Sequence, residues 1–129
     1  MGRLDQFENI EAWKKARDLT KTIYKVTSTP PFKTDFGLRE QIRRASVSIM
    51  SNIAEGFGRN GDKEFRQFLS LAQGSALEVK SHLYVALDNQ LLSEVQFDLL
   101  YSKTHETCLL IGGFMRYLGK SSLKGKKFK

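Results

Sequence analysis

Apolar residues return at every third or fourth position along nearly the whole chain, the period of a helix with one buried face. The first such segment spans residues 8–28. Trp13, Ala16, Thr20, Ile23 and Thr27 fall on one line, with Leu19 and Val26 beside it. Asn9 is placed to cap its start. Pro30 and Pro31 end it, because proline lacks an amide hydrogen and disfavours helix in the residue before it. The second segment, residues 35–59, carries Leu38, Ile42, Ala45, Ile49, Ile53 and Phe57. Asp35 or Thr34 can cap it, and Gly56, Gly58, Asn60 and Gly61 supply the stop. The third, residues 62–88, has Phe65, Phe68, Ala72, Ser75, Val79, Leu83 and Ala86 on one line, and Leu71, Leu77, Tyr84, Leu87 and Leu91 on a second. Two lines exceed what one seam needs. This segment is therefore either central or in contact with another subunit. The fourth, residues 93–118, opens on the capping-box pair Ser93 and Gln96 and buries Phe97, Leu100, Thr104, Thr107, Ile111, Phe114 and Leu118, with Gly119 as C-cap.

No stretch alternates with period two, and Asn60-Gly61 lies between helical segments rather than strands. Each long helix of ~25 residues reaches ~37 Å. Short linkers make sequential helices antiparallel neighbours. The predicted fold is all-α, an up-down-up-down four-helix bundle over residues 1–119, followed by a tail at 120–129.

Charge changes the picture mainly at that tail. The net charge is +7, with 21 basic and 14 acidic residues among 129. The last ten positions hold Lys120, Lys124, Lys126, Lys127 and Lys129 and no acid, so the body is nearly balanced. With glycine and serine interspersed, the tail is expected to be flexible. It reads either as a solvated end or as an arm attracted to phosphate. The lack of an amphipathic anchor disfavours a membrane surface. No apolar run reaches the roughly 18–20 residues of a membrane span, and no signal-peptide core precedes Trp13. A single cysteine, Cys108, cannot form an internal disulfide, which points to a reducing cytoplasm.

Catalytic chemistry finds little to use. Gly56-Phe57-Gly58 is not followed by the Gly-Lys-Ser/Thr of a phosphate loop. Bundles that hold two metals use Glu-x-x-His pairs, and the only histidines, His82 and His105, belong to none. Cys108 sits beside the core line of its segment and reads as a small buried group. No metal, cofactor or enzymatic activity is expected. Arg44, Ser48, Asn52, Glu55 and Arg59 are spaced four, four, three and four apart, so they share a face of the second segment. Gly74, Ser75 and Glu78 answer from the third. Arg44, Ser48, Asn52, Glu55 and Glu78 are expected to form a partly buried polar network that sets register, with Arg44 paired to Glu55 or Glu78; a subunit contact is the alternative. Gly74 costs ~1 kcal/mol relative to alanine, which close approach of a second helix would offset. Gly112 and Gly113 pose the same question.

Taken whole, the string Arg43-Arg44-Ala45-Ser46-Val47-Ser48-Ile49-Met50-Ser51-Asn52-Ile53-Ala54-Glu55-Gly56-Phe57-Gly58-Arg59 closely resembles the signature of the bacterial four-helix bundle proteins encoded in intervening sequences of 23S ribosomal RNA genes. The match continues through Glu64 to Ser75 and Glu78, and is preceded by Asn9, Ile10, Trp13, Ala16 and Tyr24. It covers roughly residues 7–119; past Leu92 it is mostly apolar spacing. The resemblance implies an up-and-down bundle assembling as a ring-like homopentamer, as in the similar accessory proteins of diversity-generating retroelements. Those relatives look like basic barrels that bind nucleic acid and a reverse transcriptase. The family offers no catalytic residues to carry over. On this reading the ligand is RNA, recognised by shape or backbone. The residues expected to bind it are Arg39, Arg43, Arg59, Lys63 and Arg66 near the junction of the second and third segments, and Lys120, Lys124, Lys126 and Lys127 in the tail. The rival expectation is a scaffold whose surface docks a protein partner such as a reverse transcriptase.

Overall fold

The computed structural model describes the backbone of residues 6–128 and the side chains of residues 6–120. It contains four α-helices: α1 (Glu11–Thr27), α2 (Phe36–Phe57), α3 (Asp62–Asp88) and α4 (Glu94–Phe128). Short 3-10 turns at Phe7–Asn9 and Phe32–Thr34 precede the first two, and no strand occurs among the described residues. α1 packs on α2 and α4, and so does α3. The first and third helices therefore lie on opposite corners of a four-helix bundle. The α1–α2 and α3–α4 connections share one end. The α2–α3 connection, the start of α1 and the extension of α4 share the other.

The core follows the predicted stripe closely in α2, whereas in α1 Ala12 and Leu19 are buried and the predicted Trp13 and Thr20 are only half-buried. Ala16, Leu19 and Ile23 meet Ile42, Ile49 and Ile53, all fully buried. In α3 the central line shifts by one residue. Leu69 and Ala76 fill the core, while Phe68 and Ser75 turn to the side and are only half-buried. Each neighbouring pair of helices also carries a polar tie. Thr20 donates to the Ser46 carbonyl at 3.2 Å, Ser75 to the Ser48 hydroxyl at 3.0 Å, and Gln73 to the Cys108 carbonyl at 3.0 Å. Between α1 and α4, Lys15 pairs with Glu106 at 2.9 Å and Lys103 with Asp18.

The ends of the helices separate local signals from tertiary ones. Asp35 caps α2 by accepting from the Leu38 amide at 3.0 Å. Ser93 and Gln96 form the full reciprocal box, with both bonds at 3.0–3.1 Å. Asn9 is not the cap of α1: it lies in the 3-10 turn, and Ile10 occupies the cap position without a side-chain bond. Of the glycines expected to stop α2, only Gly61 uses its freedom, at φ +95°. Gly56 is inside the helix, where a Cβ would lie 2.7 Å from Phe68 Cβ and 2.9 Å from the Phe65 ring. Its role is close packing, not termination.

Gly119 likewise fails to end α4, which continues to Phe128. The expected flexible tail is helical backbone instead. Gly119 and Gly125 do not interrupt the helix, whose lysines and leucine are good helix formers and which contains no proline.

Candidate nucleic-acid interface

Antiparallel alternation divides the predicted basic residues into two groups. Arg43 is 14 residues before the end of α2 at Phe57, roughly 21 Å of helix, and Arg59 lies two residues beyond that end. Arg39 and Arg43 consequently lie at the α1–α2 end, away from the helix junction at which they were expected. Both serve the α1–α2 connection. Arg43 donates to Thr27 Oγ1 at 2.8 Å and Ser28 Oγ at 2.9 Å, and its guanidinium lies 4.5 Å from the Tyr24 ring centre. Arg39 donates to the Lys33 carbonyl at 3.2 Å and stacks on Phe36 at 4.1 Å.

Arg59, Lys63 and Arg66 gather at the α2–α3 end. Arg59 lies two residues past the end of α2, held by Glu55 at 3.0 Å and over the Phe68 ring at 4.9 Å. Lys63 and Arg66 are exposed on the first two turns of α3. Arg66 reaches α4, where a Cβ on Gly119 would meet its guanidinium carbon at 3.4 Å. Glycine at 119 thus leaves room for an arginine from α3. Lys120 is exposed one residue later. Lys124, Lys126 and Lys127 lie on the helical extension, with their side chains outside the described residues.

Sequence reasoning missed Arg116, which is exposed at the same end beside Gly112, four positions before Lys120. The four-residue spacing of Arg116 to Lys120 is the signal for it in the sequence. The arrangement is a set of cations with the acids Glu55, Asp62 and Glu64 among them, at an end extended by a lysine-bearing helix. It can bind phosphate and offers no acid–base pair.

The polar line of α2 is only partly a network. Asn52 donates to the Ser48 carbonyl at 2.9 Å and to its hydroxyl at 3.1 Å, and Ser75 of α3 completes the chain. Arg44, Glu55 and Glu78 are exposed. Arg44 forms no ion pair with Glu55 or Glu78; Glu55 pairs with Arg59 instead. The expected charged pairing is therefore corrected: the hydroxyl–amide core of the line faces α3 while its charged members face water, where an ion pair contributes little. Arg44, Ser48 and Glu78 line an open cleft of about 420 Å³.

Cys108 is buried, and that burial pushes its thiol above the ordinary range, away from a reactive thiolate. His82 is buried on α3, and His105 Nδ1 lies 3.0 Å from Lys80 Nζ. Among the described residues no three acids, histidines or cysteines come close enough to hold a metal ion. No described helix is long and apolar enough to cross a membrane.

Two surfaces complete the description. On α3, Leu71 and Leu77 are 58% and 56% exposed, with Leu109 of α4 at 61%. The second apolar line is thus largely uncovered in the single chain; its lower members Leu87 and Leu91 are half-buried. Gly74 lies between the two leucines, and a Cβ there would meet nothing within 4 Å. Close approach of another helix of this chain does not account for that glycine. At the α3–α4 turn, Tyr84, Phe97 and Tyr101 form an aromatic cluster with centroid separations of 5.0–5.8 Å. The neighbouring Tyr101 raises the Tyr84 phenol above its ordinary value.

The profile of the family described as 23S rRNA-intervening sequence protein matches residues 8–113. A similar solved structure is a protein of unknown function from the S23 ribosomal protein family of Bacteroides thetaiotaomicron. It shares 20% identity at a TM-score of 0.74, over 81% of this chain and 97% of the other. No curated protein matches.

Proposed function

The chain belongs to the 23S rRNA-intervening sequence protein family, and from that premise we propose that it is a non-enzymatic, oligomeric accessory protein that binds RNA through its backbone. The observation that carries this reading is the run of α4 past the bundle. Lys120 shares one end of the molecule with Arg59, Lys63, Arg66 and Arg116, and the helical backbone continues from it through positions 124, 126 and 127. Such a concentration of cations releases condensed counterions from a phosphate backbone. The sequence carries no zinc-finger, RRM or basic-zipper motif, so shape and backbone recognition of structured RNA fits best. The test is binding of an RNA hairpin across a salt series. Affinity should fall linearly on logarithmic axes by about 0.7–0.9 per phosphate neutralised. Undetectable binding at ~50 mM salt defeats the reading.

Assembly follows from the uncovered face of α3. Burying an exposed leucine contributes about 1.5–3 kcal/mol, and a small residue at 74 permits close approach. The family resemblance favours a pentamer. Sedimentation equilibrium should then give about five times the 14.7 kDa chain mass. Leu71→Glu with Leu77→Glu should reduce it to that of one chain without loss of helical signal. A stable wild-type monomer would remove the assembly.

A second reading, a scaffold docking a protein partner, is favoured by the α3–α4 turn. There the aromatic cluster adjoins the exposed Val95 and Leu99 and the acids Asp88, Glu94 and Asp98, a surface that repels phosphate. A protein partner that remains bound after nuclease digestion distinguishes it.

A further inference from the structure

The cations so far described lie at the ends of the bundle, yet α1 carries a row of its own along its length. Lys14, Arg17, Lys21 and Lys25 are spaced three, four and four apart, one face of the helix, and all are exposed. They span about 17 Å, one cation every 4–6 Å or so of rise. The acids nearby are engaged: Glu11 contacts Lys14 at 3.4 Å, and Asp18 is held by Lys103 of α4. Arg17, Lys21 and Lys25 make no ion pair among the described residues. Like charges at helical spacing repel, and beyond the exposed Lys14–Glu11 pair no ion pair within the described residues offsets that repulsion.

Two aromatic side chains flank it. Arg17 lies 5.7 Å from the ring of the half-buried Trp13, and Tyr24 is 42% exposed beside Lys25. Cations alternating with rings along a track is how single-stranded nucleic acid is held without reading its sequence. The opposite face of α1, at Ala12, Ala16, Leu19 and Ile23, is at most 2% exposed. The helix therefore has no apolar side left for a bilayer. Because α1 and α3 occupy opposite corners, copies meeting through α3 would leave this row facing outward.

We infer that the outer face of α1 is a second nucleic-acid site, a track for a single-stranded segment of RNA whose phosphates lie over Lys14, Arg17, Lys21 and Lys25. The inference rests on the RNA-binding reading above and adds a site remote from the α4 extension. Trp13, the only tryptophan in the chain, provides the readout. A labelled oligouridylate should quench its fluorescence in the full-length protein. Lys21→Glu with Lys25→Glu, which leaves the Arg17–Trp13 contact intact, should weaken binding by about tenfold or more at ~50 mM salt and flatten the salt slope by about 1.4. Lys21→Arg with Lys25→Arg should retain both. Circular dichroism checks that the exposed substitutions leave the fold unchanged. Unaltered affinity and quenching in the glutamate variant overturn the track while leaving RNA binding by the α4 end intact. Failure of the wild type to bind any RNA overturns both. Attraction to phosphatidylserine vesicles that the glutamate variant loses, with oligouridylate binding unchanged, assigns the row to a membrane surface and likewise overturns the track.

Discussion

Changing Lys120, Lys124, Lys126 and Lys127 together to glutamate is expected to reduce affinity for an RNA hairpin by at least about 100-fold at ~0.1 M salt. Each phosphate contact contributes roughly 5- to 8-fold at that salt relative to 1 M, so four contacts multiply to several hundredfold or more, and incomplete engagement sets the lower bound. The four substitutions also take the chain from +7 to about −1, which removes long-range attraction as well as direct contacts. Positions 116, 120, 124 and 127 are spaced four, four and three apart and share a face of α4, whereas 126 falls elsewhere. A Lys126→Glu single variant should therefore cost less than Lys124→Glu. Acids near the end of a helix oppose its dipole by about 0.3–1 kcal/mol each, so some fraying of the extension will accompany the loss. The bundle, which buries no side chain beyond Leu118 among the described residues, should keep its melting temperature. Hairpin titration with sedimentation of the same sample checks the prediction. Undiminished binding by a correctly assembled variant would move the RNA site away from α4.

The largest expected effect on stability is at Gly56. Alanine there places a Cβ 2.7 Å from Phe68 Cβ and 3.3 Å from the Phe65 carbonyl oxygen, on the first residues of α3. Neither atom is the free end of a flexible side chain, so α2 and α3 must move apart. Overpacking of this kind costs about 1–3 kcal/mol and occasionally more. It exceeds the ~1 kcal/mol that alanine returns in helix propensity. Gly56→Val adds two methyl groups to the same contact and a poorer helix former, and should lower the melting temperature on the order of 10 °C or more. Gly74→Ala is the opposite case. Its Cβ meets nothing within 4 Å, so the isolated chain should gain up to ~1 kcal/mol. If copies approach closely at that glycine, the same substitution weakens assembly. Thermal melts together with sedimentation separate the two effects.

These two glycines mark where reading the sequence stopped. Both sit in helices and both looked like packing or termination devices. One is wedged against two phenylalanines and the other is open, and nothing within four residues of either distinguishes them. Arg44 is similar. Its spacing to Glu55 and Glu78 was compatible with pairing, but the rotation of α2 turns Ser48 and Asn52 toward α3 and leaves the arginine in water. Arg39 and Arg43 were assigned to the wrong end, although antiparallel alternation and 1.5 Å of rise per residue would have separated them from Arg59. The row on α1 is legible in its three- and four-residue spacing, as the polar complement of the buried stripe.

What the sequence alone determined about this protein are the properties set by neighbours within a turn or two. These are four helices from a 3.6-residue period, the caps at Asp35 and Ser93, the buried line of α2 and the surplus line on α3. They are local because helix hydrogen bonds and side-chain faces repeat over a few residues. Only the tertiary structure decided which glycine is crowded, which charges meet, and that α4 runs past Gly119 under Arg66. Those outcomes depend on the rotation and axial offset of one helix against another. Contacts between residues far apart in the chain set both, and no local period encodes them.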